Sequence, residues 1–296
     1  MKKKIDLAKN VIKNNIDIFR CPICRQSMSI KNKSLLCLKG HCFDLSKNGY
    51  INLLNNPVHS KYDKQMFAAR QIISQNGFFQ KLIKKIDDII LKEMNDKEIS
   101  RLKILDAGCG EGSNLTAIAK YLHHHANLEY VGIGLDISKE GIHIAAIEYP
   151  SNIWCVADLA NIPMKDKQFD FIINILSPAN YMEFTRILKD IGLLIKVIPG
   201  KHYLREIRKT FYQQKEKQGY SNEEVINLFQ RNFRIISQKK LFYQQEIESN
   251  NILPLIKMTP LSWSLKKEDF EIEESKLSEI TSITVDLIIL VGRARE

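Results

Sequence analysis

Lys103-Ile104-Leu105-Asp106-Ala107-Gly108-Cys109-Gly110-Glu111-Gly112 is the stretch that decides the fold. A short apolar run ends in an acid, passes through three alternating glycines, and continues into Leu115 to Leu122 at helical spacing. A strand that turns through glycines into a helix leaves the first helical N–H groups free and lets a ligand approach the backbone closely. The order G-x-G-x-G behind Asp106 differs from the G-x-G-x-x-G that cradles a pyrophosphate.

Working outward, Tyr130 to Asp136 reads as a second strand, and its terminal acid lies 24 positions after Gly112. Nucleotide-binding sheets place a ribose-holding carboxylate roughly 20 residues on. Ile153 to Val156 is a third strand, followed by Asp158, where a carboxylate can accept from an adenine amino group. Phe169 to Ile175 and Gly192 to Ile198 are the fourth and fifth, with helices expected through Ile147 and over Asn180 to Lys189. Near-continuous apolar strands alternating with helices predict an α/β, Rossmann-like, mostly parallel sheet covered on both faces. Phe233 to Ser237 and Ser282 to Val291 follow a long polar segment and predict an antiparallel C-terminal hairpin. Asp106, Asp136 and Asp158 all fall at C-terminal strand ends, where open parallel sheets bind ligands.

The N-terminal side has a different character. Four of the six cysteines, Cys21, Cys24, Cys37 and Cys42, fall within 22 residues, and the first three with His41 make a C-x2-C-x12-C-x3-H pattern. That spacing offers zinc four ligands from two short turns, and a closed Cys3His set is structural because it leaves no position for a reacting water. Cys42 is the competing fourth ligand. His41 is preferred, because Cys42-Phe43-Asp44 reads as a strand in which Cys42 points away and becomes a packing thiol. A core this small rarely holds without such a staple. Met66 to Ile86 then carries two amphipathic helices broken at Asn76-Gly77.

The division expected is a basic tail (1–16), a zinc-binding module (17–56), a helical bridge (57–98) and a catalytic-type domain (99–296) with a polar insertion near 200–260. The 296 residues, 44% apolar and 26% charged, exclude general disorder and collagen-like repeats. The net charge of +10 suits a polyanionic partner such as RNA or DNA, or an acidic membrane surface. No apolar stretch is long enough to span a membrane. Asp6, Lys9 and Lys13 interrupt anything resembling a signal peptide, so a cytoplasmic protein is expected. His123-His124-His125 reads as a solvated helix end.

Asp106 to Gly112 resembles the first motif of class I S-adenosylmethionine-dependent methyltransferases. From about residue 18 onward the chain resembles the bacterial 23S ribosomal RNA (guanine-N1)-methyltransferases. The resemblance is carried by the zinc module, His41 to Leu53, Tyr62-Asp63-Lys64 with Arg70, and Asn76 to Phe79. It continues through Phe169-Asp170, Ser177 to Tyr181, Lys196 to Pro199 and Met258 to Leu261. Ser177 to Tyr181 and Lys196 to Pro199 look more like the Gram-positive, tylosin-resistance-associated branch. The resemblance implies S-adenosylmethionine as cofactor, a structural Zn2+, a 23S rRNA hairpin loop near the macrolide site as substrate, and pairing of two copies. It implies cofactor contacts from Phe79, Asp106, Gly108, Gly110, Glu111, Gly112, Ser113, Asp136, Asp158 and Tyr203. Two departures stand out: Tyr203, with His202 just before it, occupies the family's usual His, and Phe79 replaces a usual Tyr.

Guanine N1 is protonated at neutral pH, and each pKa unit above the working pH costs about 1.4 kcal/mol. The sequence does not name the base that takes this proton; Asp63 and the loop Asn174 to Asn180 are the candidates, Asp63 reading more readily as a helix cap. RNA is expected to meet Arg25, Lys31, Lys33, Lys39 and Lys47 on the zinc module, and Lys201, Arg205, Arg208, Lys209, Lys215 and Lys217 beyond the fifth strand. Two other readings remain open. A small-molecule, quinone-type methyltransferase would need neither the zinc module nor the charge, and a non-catalytic RNA-binding protein would need neither the glycines nor Asp136.

Overall fold

The computed structural model describes residues 3–58, 62–94, 101–126, 128–212, 222–260, 277 and 279–295. In chain order the ribbon strands are β1 (Met28–Lys31), β2 (Ser34–Cys37) and β3 (Cys42–Asp44), an antiparallel sheet of three. The helices α2 (Lys64–Gln75) and α3 (Gln80–Met94) come next, with the break at Asn76-Gly77 where the apolar spacing put it. Gly77 sits at φ +78°, a left-handed stop for α2 that glycine adopts without strain.

The main sheet has eight strands. At its centre lie β5 (Arg101–Ala107) and β8 (Phe169–Ile175), with every residue of β8 buried. On the β5 side follow β6 (Glu129–Asp136), β7 (Ile153–Val156) and the two-residue β4 (Ile51–Asn52), all parallel. On the β8 side, β9 (Leu188–Pro199) is parallel, and β11 (Ser282–Ala294) and β10 (Phe233–Glu246) complete the sheet in antiparallel register. The mostly parallel sheet with an antiparallel C-terminal hairpin is therefore as expected. Helix α4 (Ser113–Ala126) leaves the glycine turn, α5 (Lys139–Glu148) follows β6, and α6 (Tyr181–Ile187) follows β8. The strand order reverses between β5 and β8, so a crevice opens over their C-terminal ends.

The structure departs from the sequence expectations in four places. Residues 4–13, expected as a frayed helix or a disordered arm, form a packed helix, α1 (Lys4–Lys13), because Ile5, Ala8 and Ile12 make an apolar stripe that is buried. Residues 51–52, within the 17–56 segment expected to form a module of its own, give β4, which pairs with β7 and so joins that module to the main sheet. The helix expected to reach Lys189 stops at Ile187, since Leu188 is already extended and begins β9. Cys42, read as a packing thiol, is exposed, because β3 is an edge strand that turns only Phe43 inward and leaves the face of Cys42 and Asp44 open.

Ion pairs fasten the ribbon further. Arg20 is only 8% exposed and lies 3.7 Å from both Asp166 and Glu183, which Arg186 also clamps at 2.7 Å each. Asn48 meets His143 of α5 at 3.3 Å, and Tyr50 stacks edge-on to the same ring.

Candidate functional site

Cys21, Cys24, Cys37 and His41 come together with their ligand atoms all within 4.8 Å of one another. His41 Nδ1 lies 3.5 Å from Cys21 Sγ and 3.3 Å from Cys37 Sγ, and Cys24 and Cys37 are 3.5 Å apart. Such separations suit four corners around one ion with metal–ligand bonds of about 2.0–2.3 Å. Burial opposes ionisation of Cys37, but hydrogen bonding from Cys24, the His41 and Lys39 backbone and the His41 ring brings its thiol down to about 6. The donor set fits zinc, with His41 and not Cys42 as fourth ligand.

The second site lies at the crevice. Gly108 and Gly112 have φ near +82°, and a Cβ would strike Ser177 at the first and Trp154 at 2.5 Å at the second. The turn is therefore packed to backbone thickness from both sides. Asp136 fixes its middle: Oδ2 accepts from Gly110 N and Oδ1 from Ser138 N, both at 2.8 Å. Burial raises the Asp136 pKa, with these backbone donors opposing the rise.

Asp106 is buried behind the turn, and its Oδ2 accepts no hydrogen bond. Burial pushes this carboxyl up to about 7, with Arg70 pulling the other way. Arg70 Nε pairs with Glu111 Oε2 at 3.1 Å. Three carboxyls face one guanidinium here, so the pocket favours a cation. A buried acceptor with no donor costs about 1–3 kcal/mol, which an incoming ammonium would relieve. The amino-acid end of S-adenosylmethionine carries such an ammonium and no phosphates. Ser113 meets Tyr149 at 3.1 Å, while Asp158 is exposed and accepts only from Ala160 N at 2.8 Å.

Beside the turn is a cavity of about 850 Å3, walled by Tyr62, Arg70, Phe79, Pro178, Tyr181 and Tyr203 among others. Arg70 is shared between turn and cavity. Tyr203 lines the cavity, with burial pushing its phenol well up, whereas His202 does not and gives only its backbone N–H to Asp286. Asp63 caps α2, accepting from Met66 N at 2.8 Å. The other base candidate, the loop after β8, does line the cavity.

Full-length similarity then joins the two sites. A Bacillus subtilis protein named as a 23S rRNA (guanine-N1)-methyltransferase, YxjB, is 40% identical over 297 residues, covering 99% of each chain. The chain belongs to the 23S rRNA (guanine-N1)-methyltransferase family. The Streptomyces fradiae 23S rRNA (guanine(748)-N1)-methyltransferase is 26% identical, covering 95% of this chain and 98% of that one. A Micromonospora griseorubida relative is 25% identical over 90% of this chain and 93% of its own. A family description for the RlmA N-terminal zinc ribbon matches residues 19–64, and one for a methyltransferase domain matches residues 104–196. This family member is thus an enzyme, a class I S-adenosylmethionine-dependent methyltransferase with a Cys3His zinc ribbon.

Two residues escaped the sequence reading of this methyltransferase. Arg70 was seen only as part of a motif. Lys196 was seen only as part of another, yet it is 5% exposed and lines the cavity. The signal for Lys196 was a charge inside the apolar run Leu193 to Ile198.

The basic groups divide in the same way. Arg25, Lys31, Lys33, Lys39 and Lys47 are all exposed on the ribbon. Beyond β9, Lys201 and Lys209 are exposed, Arg205 pairs with Glu206 at 3.0 Å, and Arg208 lines the cavity. Lys215 and Lys217 lie outside the described residues, as does Leu261. Among the described residues no helix is long and apolar enough to cross a membrane.

Proposed function

We propose that this chain methylates N1 of a guanine in a hairpin loop of 23S rRNA near the macrolide-binding site, with the zinc ribbon docking the RNA. The observation that carries the reading is full-length similarity at 40% identity, spanning ribbon and catalytic domain together, to a protein bearing that name. A small-molecule methyltransferase would leave the ribbon's exposed cations without a purpose, and a non-catalytic adaptor would leave the orphaned oxygen of Asp106 without one.

S-adenosylmethionine, when bound, supplies the methyl group from its sulfonium. Asp106 Oδ2 and Arg70 would receive its amino-acid end, Glu111 holding Arg70 in place. Gly108, Gly110, Gly112 and Ser113 would line the turn against it. Asp136 keeps lone pairs on both oxygens beyond those given to Gly110 and Ser138, enough to accept from ribose hydroxyls. Asp158 would receive the adenine amino group, and Phe79 and Tyr203 would close the cofactor from the cavity side. In-line displacement gains most from orientation, so a rigid turn is the chief catalytic element. The base must leave its stack to present N1, and the cavity has room for it. Phosphate contacts from the ribbon position the RNA without reading sequence.

An rRNA substrate places the enzyme in the cytoplasm, and methylation near the macrolide site gives it a part in resistance. Pairing of two copies, which the family resemblance implies, is read by sedimentation. The test of function is incubation with labelled S-adenosylmethionine and unmodified 23S rRNA, followed by mapping of the label. One methyl on a guanine N1 is expected. Label on metabolites alone supports the small-molecule enzyme, and binding without label supports the adaptor.

A further inference from the structure

Three charged side chains line the cavity among the described residues: Arg70, Arg208 and Lys196. Arg70 is committed to Glu111, and Arg208 donates to the Lys201 carbonyl. Lys196 is different. It sits in β9 opposite Asn174 of β8, and both are buried within apolar stretches of their strands, residues 171–175 and 193–199. Its Nζ donates to Asn174 Oδ1 and to the Ser177 carbonyl. Asn174 in turn donates through Nδ2 to Ala107 O at 2.6 Å and Pro178 O at 3.0 Å. One polar knot therefore joins the end of β5, the loop after β8 and the β9 lysine, at the wall of the cavity. An ammonium carries three N–H donors and accepts nothing. Two are used, and the third finds no acceptor among the described residues.

We propose that Lys196 selects the base to be methylated, donating its third N–H to O6 of guanine beside the reacting N1. This rests on the function proposed above and adds a catalytic residue to it. On the Watson–Crick edge guanine offers an acceptor at position 6, whereas adenine offers an amino donor, which an ammonium repels. The same contact helps the chemistry. The N1–H bond breaks with its electron pair left on the ring and its proton passed to water, and the resulting charge is shared with O6. That pair takes the methyl while the pair of the broken S–C bond stays on sulfur. A fixed cation at O6 stabilises the charge as it forms. Burial brings the Lys196 pKa down to about 8, so the group is still mainly ammonium at pH 7.

The test uses the full chain and the rRNA hairpin it methylates, prepared with guanine or with 2-aminopurine at the target; the latter lacks O6. Wild type should bind the guanine hairpin about tenfold more tightly, equivalent to about 1.4 kcal/mol. In Lys196→Met that preference should vanish, and transfer to guanine should fall by about two orders of magnitude and regain about tenfold per pH unit from 7 to 9. Should the Met variant fail to fold, Lys196→Gln keeps a donor without the charge. It should keep part of the preference and show the same steepened pH profile. Equal binding of both hairpins by wild type, or a wild-type pH profile in either variant, overturns the proposal. If wild type methylates N1 while the variants keep its base preference, the inference fails and the function stands. If wild type places no methyl on N1, both fail.

Discussion

The zinc ribbon and the glycine-turn crevice achieve rigidity by opposite means. In the ribbon, four ligands within 21 residues pull three short strands around one ion. The ribbon's buried apolar residues, Phe19, Met28, Leu35 and Leu45 among them, belong to a core shared with the main sheet, while Leu38 at 88% exposed and Ile23 at 53% point outward. In the crevice no ion is needed. The turn is fixed by glycines packed to backbone thickness against Ser177 and Trp154, and by Asp136 spanning Gly110 and Ser138. The first device acts between near neighbours in sequence; the second gathers Arg70, Asp106, Glu111, Asp136 and Lys196 from over a hundred positions of chain. Local devices can be read from spacing, while assembled ones need the fold.

The comparison breaks most sharply on metal removal. Structural zinc contributes on the order of 10 kcal/mol of folding free energy in small modules. Stripping the metal with a chelator, or Cys24→Ser, should cost about 100-fold or more in rRNA affinity by fluorescence anisotropy. Calorimetric affinity for S-adenosylmethionine should stay within about threefold. Equal losses in both would mean that β4, shared by ribbon and main sheet, carries the damage across.

A smaller, pH-dependent effect belongs to the crevice side alone, in α3, which packs on the helix leaving the glycine turn. Asp87 on α3 is fully buried, neither oxygen finds a partner, and burial with Asp88 beside it raises its pKa to about 8. A raised carboxyl binds protons more tightly when folded, so stability falls as pH rises from about 4 to 8 and stays low above that. At about 1.4 kcal/mol per unit the cost at pH 9 reaches at most about 6 kcal/mol. Asp87→Asn should therefore raise the melting temperature at pH 8.5 far more than at pH 5. A uniform shift at both pH values would show that ionisation of Asp87 is not the cause.

The smallest effect sharpens the ribbon's role. Reversing Lys31 and Lys33 to Glu should weaken rRNA binding by about tenfold at low salt and flatten the slope of log affinity against log salt by about 0.7–0.9 per lost phosphate contact. Transfer at saturating RNA should be unchanged. A salt slope equal to wild type would remove these lysines from the interface.

Much of this was legible beforehand, for identifiable reasons. Apolar runs of period appropriate to buried strands marked β5, β6, β8 and β9, and the Cys/His spacing marked the ribbon with its fourth ligand. The α1 stripe Ile5-Ala8-Ile12 was also present, but the surrounding lysines made it look like a tail. β4 is two residues long, and nothing in so short a segment says which sheet it will join. Arg70 and Glu111 stand 41 positions apart, so their pairing belongs to the packing of α2 against the turn. Lys196 and Asn174 did leave a trace, each a polar residue within an apolar strand, and the structure supplies the missing fact that they face one another.

The central claim is that the orphaned acid behind the glycine turn receives the amino-acid end of S-adenosylmethionine. It is tested most directly by isothermal calorimetry of that compound into wild type and Asp106→Asn, with folding of both checked by circular dichroism. One site per chain is expected in wild type, with an affinity at least about 30-fold weaker in the variant. No heat in wild type, or an unchanged affinity in a folded Asp106→Asn, would contradict it.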